Sequence, residues 1–258
     1  MVETASENSE ATKPTRFQTT RWSMVLSCAR TGKSSDEAQK ALTELCRLYW
    51  RPVYALISRR GHSVSDAQDL TQDFFMTLLT GNLLSLADPA RGRFRSLMRT
   101  AVENFLNDRR HLARRQKRGG KVQFVAWDEW MAEAPSRLSI HGGELASFPA
   151  ERIFDVRWAA TVVEQSLRRL AEECERRGRL RMFTILSRHL SLERVEVSYA
   201  SLASTLGVSE SVVKRVLHQL RARYRAILRD EISHTVENSA DIEDEIRYLC
   251  AALASMHG

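Results

Sequence analysis

The 258-residue chain contains only 5 prolines, 11 glycines and 4 cysteines. So few breakers, set among many Leu, Ala, Arg and Glu residues, favour helices over sheets. Cys28, Cys46, Cys174 and Cys250 lie far apart, and none belongs to a C-x-x-C pair. That spacing argues against a zinc site or a disulfide framework and fits reduced, mostly core thiols in a cytoplasmic protein. No apolar run approaches the roughly 18 residues of a membrane span, so no membrane partner is expected. Met1 to Lys13 is polar and Ser/Glu-rich, unlike a signal peptide, and residues 1–18 are expected to be a disordered lead-in. Acidic residues are scarce in one long stretch. Between Arg91 and Lys121 only Glu103 and Asp108 oppose Arg91, Arg93, Arg95, Arg99, Arg109, Arg110, Arg114, Arg115, Lys117, Arg118 and Lys121.

The apolar share, 43%, is ordinary for a globular protein. The length allows one large domain or two small ones, each with its own core. A net charge of +7 and a pI near 9.5 point to nucleic acid or an acidic surface. The charge is also segregated. Asp230, Glu231, Glu237, Asp241, Glu243, Asp244 and Glu245 make the C-terminal end acidic, which solubility alone does not explain.

Hydrophobic spacing predicts a helix over Asp36–Arg60, with Leu42, Leu45, Tyr49, Val53 and Leu56 as its stripe. Pro52 should kink or divide it, and Gly61 should stop it. A second helix is predicted from Ser65 to Leu79, with Ser65 and Gln68 as a capping box. Leu70, Phe74 and Leu78 form its apolar stripe, and Asp66, Asp69 and Asp73 an acidic one. A third runs from Phe94 to about Arg115, with Phe94, Leu97, Met98, Ala101, Phe105 and Leu112 inward. Residues 121–149 lack a sustained period and read as a linker, with a short helix around Trp127 to Met131. Helices resume over Ala150–Arg177, where Phe154, Trp158, Val162, Leu167 and Leu170 are core candidates, and over Leu180–Leu190. Ser198 then caps a short helix, Tyr199–Leu206.

The strongest local signal is Ser198 to Arg225: a short helix, a turn at Gly207-Val208-Ser209, and a long helix from Glu210 to about Ile232. Leu202, Ala203 and Leu206 should pack on Val208, Val213, Val216 and Leu217, and Gly207 suits a left-handed turn. Ser211, Lys214, Arg215, His218 and Arg221 fall on the outer face. A helix of this kind enters the major groove, where Lys, Arg and Ser reach base edges or phosphates. The bland alternative is an amphipathic hairpin with a solvated charged face.

The Arg109–Lys121 run suits phosphate neutralisation. Phe94 and Phe105 nearby could stack on unpaired bases, but their spacing puts both on the buried stripe. The Asp66, Asp69, Asp73 stripe has three readings. It is a solvated face, a dock for a basic partner, or a metal site. The spacing D-x-x-D-x-x-x-D is similar to the magnesium-holding clusters of all-helical prenyl-transferring enzymes. A metal site needs a second facing carboxylate cluster, and none is evident in the sequence.

Taken together, three stretches resemble a bacterial RNA polymerase sigma factor of the extracytoplasmic-function group, in the long form of planctomycete-type bacteria. Arg51-Pro-Val-Tyr-Ala-Leu-Ile-Ser-Arg-Arg-Gly-His62 with Asp66-Ala-Gln-Asp-Leu-Thr-Gln-Asp-Phe-Phe75 is similar to region two, the polymerase-clamp-binding helices. Phe94 to Asn104 through Asp108-Arg109 resembles the part that melts and reads the minus-ten element. Ser198 to Arg225 resembles region four, which binds the minus-thirty-five element. The resemblance covers roughly Thr19 to Leu249. Leu97 stands where many members carry Trp, and Gln68 where an acidic residue is common.

The resemblance implies an all-α fold of two helical domains, region two over 19–120 and region four over 150–232. They would be joined by the 121–149 linker and followed by an acidic extension over 233–258. It implies that Asp66, Asp69, Gln72 and Asp73 contact core RNA polymerase. Arg91, Arg93 and Asn104 would lie near a flipped-out minus-ten base, and Arg109 and Arg110, with Arg114 and Arg115 of the same basic run, would hold the DNA backbone. Ser209, Ser211, Lys214, Arg215, His218 and Arg221 would face the minus-thirty-five major groove. Such a protein is not an enzyme and needs no cofactor or metal. Its partners are core polymerase and promoter DNA, with a Ser/Thr protein kinase or an anti-sigma regulator as candidate controllers. A phosphate on Thr71 would add about 1.5–2 negative charges to the acidic helix, whereas a packed Thr there carries no regulation. The acidic tail is a candidate cover for the basic helix of the free protein. The competing classes are a stand-alone helix-turn-helix regulator and a magnesium enzyme built on Asp66, Asp69 and Asp73.

Overall fold

The computed structural model describes residues 36–80, 93–113, 147–190, 197–236 and 238–254. The expected N-terminal lead-in, most of the linker with its short helix, and Arg91, Arg114 and Arg115 lie outside the described residues. Among the described residues the fold is all-helical, with no strand. In chain order the helices are α1 (Asp36–Arg59), α2 (Val64–Thr80), α3 (Phe94–Ala113), α4 (Ala150–Arg176), α5 (Leu180–Leu186), α6 (Tyr199–Leu206), α7 (Glu210–Ser233) and α8 (Ile242–Ala254). Short 3-10 turns at Ser187–His189 and Ser239–Asp241 extend α5 and precede α8.

Pro52 does not divide α1, which runs unbroken past it. An interior proline costs about 3 kcal/mol. Here Leu48, Tyr49, Val53, Leu56 and Ile57, all fully buried, surround it and offset that cost. Gly61 closes the helix at φ 90, a conformation that side-chain-bearing residues rarely adopt. α2 starts one residue earlier than its spacing suggests, because the cap is Ser63 rather than Ser65. The Asp66 backbone N–H donates to Ser63 Oγ at 3.1 Å, and that hydroxyl donates to the Asp66 carboxylate at 2.7 Å. This satisfies an otherwise orphaned N-terminal donor.

The two larger of three apolar clusters organise the helices, and the boundary between them falls within α4. Phe154, Trp158, Ala159 and Val162, from its first half, are buried with Tyr49 and Leu56 of α1, Phe74 and Leu78 of α2, and Phe94, Met98 and Phe105 of α3. Leu170 and Cys174, from its second half, join Phe183 and Leu186 of α5, Ala203 of α6, and Val213, Leu217 and Leu220 of α7. Leu167 is half-buried rather than core. At 1.5 Å per residue, α4 is about 40 Å long, so it serves as a common spine. Arg51 of α1 ties to it through Glu164 at 2.7 Å, and Arg60 through Glu151 at 2.5 Å.

Among the described residues the C-terminal end does not lie over the outer face of α7. Leu228 and Ile232 at the end of α7, Val236, and Ile242, Leu249 and Ala252 of α8 belong to the first cluster. The Phe94 N–H, at the start of α3, donates to the Thr235 carbonyl at 3.3 Å. Ile242–Ala254 of the acidic extension is therefore built into the body beside α3 and α4. No helix among the described residues is long and apolar enough to cross a membrane.

Candidate nucleic-acid interface

The turn between α6 and α7 forms as its residues dictate. Gly207 is left-handed at φ 68, ψ 33, and the Val208 N–H reaches back to the Ala203 carbonyl at 3.1 Å, closing α6 with a Schellman-type bond. Ser198 occupies the position before α6 but makes no side-chain cap bond, so that role is not filled as expected. Ala203, Val213 and Leu217 are buried, and Leu202, Leu206, Val208 and Val216 pack around them. This apolar wedge fixes the two helices and turns the opposite face of α7 outward.

That face carries most of the expected groove residues. Ser209, Ser211, Lys214, Arg215 and His218 are exposed. The Ser209 and Ser211 hydroxyls sit 2.9 Å apart. Lys214 lies over the Tyr199 ring, 5.1 Å from its centroid, and pairs with Glu210 at 3.4 Å. Arg221 is different: it is half-buried and donates to the His189 carbonyl at 2.8 Å, which anchors α7 to the end of α5. Beside α7 runs a cleft of about 540 Å³ lined by Tyr199, Lys214, His218, Arg221 and Arg225. Among the described residues its lining carries no acidic side chain. A concave, cationic surface beside a protruding helix suits a polyanion with a groove.

The acidic stripe is only partly available. Asp69 is exposed and Gln72 is half-buried. Asp66 is exposed but hydrogen-bonded to its cap, Ser63. Asp73 pairs with Arg109 at 2.9 Å, so one residue expected to meet a protein partner holds one expected to meet DNA. Asn104 and Arg110 are exposed on α3. Phe94 and Phe105 lie in the core, as their spacing implies, and not on a stacking surface. Among the described residues no three acidic, His or Cys side chains are grouped to hold a metal ion. Thr71 is fully buried and its hydroxyl donates to the Ala67 carbonyl at 2.6 Å, so it is a packing residue that a kinase does not reach in this fold.

A buried charge cluster beneath the start of α3 has no counterpart in the sequence reading. Arg95, 5% exposed, donates to Glu245 at 3.0 Å and to Asp155 at 2.9 Å. Its guanidinium stacks on the Tyr248 ring at 3.8 Å. Tyr248 donates to Asp155 at 2.6 Å, Arg99 approaches the same carboxylate at 3.3 Å, and Arg93 reaches Glu245 at 2.8 Å. Burial alone would pull the Arg95 pKa down; hydrogen bonding to Glu245 and the Glu245 and Asp155 charges reverse this, so its net shift is upward. Burial pushes the nearby Tyr49 hydroxyl far up, and the Glu245 charge adds to the rise. One sequence signal could have exposed the cluster. Glu245 lies on the same helical stripe as Ile242, Leu249 and Ala252, where a lone carboxylate demands a buried partner.

No family model, curated protein or solved structure matches the chain.

Proposed function

We propose that the chain is a sigma factor, which binds core RNA polymerase and directs promoter recognition and melting. The observation that carries this reading is the outward ridge of Ser211, Lys214, Arg215 and His218 on α7, held by the Gly207 turn beside a basic cleft. The resemblance of the three segments, in their order along the chain, narrows DNA binding to promoter binding. Lys214 and Arg215 supply charge-assisted bonds to guanine edges or phosphates of the minus-thirty-five element, and Ser209 and Ser211 supply neutral ones. Arg221 positions the helix instead of reading the groove, since its guanidinium is committed to His189. Asp66, Asp69, Gln72 and Asp73 form the polymerase-facing surface of α2. Asn104, Arg109 and Arg110 of α3 face the minus-ten strand, whereas Arg93 at its start is held by Glu245.

In this reading the region-two and region-four modules meet along α4, and the protein works in the cytoplasm. It performs no catalysis and needs no cofactor; polymerase makes the phosphodiester bonds. The test is retention by purified core polymerase. The full chain is expected to co-elute, and Asp69→Arg to co-elute at least about tenfold more weakly, because it reverses charge in the contact. The absence of any retention would overturn the reading.

A stand-alone helix-turn-helix regulator is the second reading, favoured by the way α4 joins both apolar clusters into one body. It would bind duplex DNA without polymerase, as a dimer with two half-sites about 34–36 Å apart.

A further inference from the structure

We infer that α8 is an intramolecular competitor for nucleic acid: its carboxylates occupy the arginine site at the start of α3 that would otherwise take phosphates. Three observations carry this. The first is the pairing itself. Arg93 is held by Glu245 at 2.8 Å and by Asp244 at 3.9 Å, while Arg95 holds Glu245 through two nitrogens, at 3.0 and 3.5 Å. Two carboxylates facing two guanidiniums repeat the charge and fork geometry of an arginine–phosphate contact.

The second is the difference between the two sides of the site. Asp155 lies beneath Arg95 on the α4 side and would keep it folded and charged after α8 left. Glu245 lies on the other side, fully buried although α8 is a short surface helix. Removing α8 would uncover Arg93 and Arg95 while Asp155 and Arg99 stayed paired. The third is the strength of the attachment. α8 contributes Ile242, Leu249 and Ala252 to the buried core and half-buries Ile246, Tyr248 and Leu253 against it, beside the charge cluster and an ion pair between Arg229 and Glu243. A 13-residue helix at the edge of the core opens more readily than the long helices that form it.

The uncovered arginines would add to Asn104, Arg109 and Arg110 on the same helix, extending its nucleic-acid face towards its N-terminus. α8 would therefore weaken binding to DNA until polymerase or DNA itself displaced it. This inference rests on the promoter reading for its purpose, but not for its geometry.

The test uses the full chain with Leu249→Asp, which expels the apolar anchor without touching the arginines. A second variant, Asp244→Asn with Glu245→Gln, weakens the pairing while preserving shape. The probe is a fluorescent single-stranded oligonucleotide of about 30 mixed nucleotides, titrated from 50 to 200 mM salt. Faster hydrogen exchange across Ile242–Ala254 with unchanged helical content elsewhere reports the release of α8. With α8 bound in at least about nine molecules of ten, release should tighten binding at least about tenfold. It should also steepen the slope of log K against log salt by about 1.4, or 0.7 for each arginine freed on a single strand. Adding Arg93→Ala to the released protein should return about half of that slope. Released α8 with unchanged affinity and slope overturns the inference, as does an α8 that neither variant releases. A steeper slope in a protein that core polymerase never retains would leave the competitor standing and reject the promoter reading.

Discussion

Arg95 and Glu245 offer the sharpest energetic test, because each is almost wholly removed from water and they meet across 150 residues of sequence. Glu245→Met leaves Arg95 buried with Asp155 as its remaining carboxylate, at 2.9 Å. Breaking a buried pair costs about 3–5 kcal/mol, and the surviving Asp155 contact places this variant near the lower figure. Arg95→Met leaves Glu245 with Arg93 at 2.8 Å, and Asp155 with Tyr248 and Arg99, so a similar loss of about 3 kcal/mol is expected. The double variant replaces the pair with apolar side chains that can pack against Trp158 and Leu249. It should lose far less than the sum, giving a coupling of about 2–3 kcal/mol. Urea unfolding of all four proteins, followed by tryptophan fluorescence and far-ultraviolet circular dichroism, measures the cycle. Each single variant should melt roughly 6–12 °C lower, at about 2–4 °C per kcal/mol for a chain of this size. Single losses under about 1 kcal/mol, or strict additivity, would refute the claim that this cluster joins α3, α4 and α8.

Other outcomes follow from the same geometry. Lys214→Ala and Arg215→Ala should each lower the slope of log K against log salt on duplex DNA by about 1, measurable by fluorescence anisotropy; buried or structural side chains would leave it unchanged. Gly207→Ala meets nothing within 4 Å, so its cost is the left-handed backbone alone. That is about 1–2 kcal/mol, read as a fall of roughly 2–8 °C in the melting temperature. Glu173 is held below its ordinary carboxylate range by hydrogen bonds from Arg223, at 2.6 and 2.7 Å. Its folded-state pKa is the lower one, so the stabilisation is present above the ordinary value of 4.5 and is lost as pH falls below it. Acid titrations of the parent and Glu173→Gln proteins should therefore converge at low pH and separate above it.

The helices were legible because their apolar periods are long and their stops are strong. Gly61 and Gly207 end α1 and α6 where a left-handed residue is needed, and α3 begins at Phe94 as its stripe implies. The α7 ridge was legible for the same reason: a 3.6-residue period assigns Val213 and Leu217 inward and therefore Lys214, Arg215 and His218 outward. What escaped were contacts between distant segments. Arg95 and Glu245 are separated by 150 residues. No local pattern could show that the acidic end returns to the start of α3 rather than to α7. The Ser63 cap was missed because Ser65 with Gln68 offers a similar local pattern, and only the backbone geometry chooses between them. Thr71 looked like a residue of an acidic surface because Asp69 and Asp73 flank it, yet one step around the helix carries it into the core. The expected division before Ala150 followed the loss of periodicity in the linker. The apolar clusters instead divide along α4, whose two halves face different neighbours.

The most direct test of the central claim is run-off transcription with purified core polymerase on the DNA upstream of the protein's own coding sequence. The full chain should produce a discrete transcript that is lost in a Lys214→Ala, Arg215→Ala double variant and absent when polymerase alone is supplied. No transcript above polymerase alone, from a protein that binds the same duplex unaided, would contradict promoter direction and leave a stand-alone DNA-binding regulator.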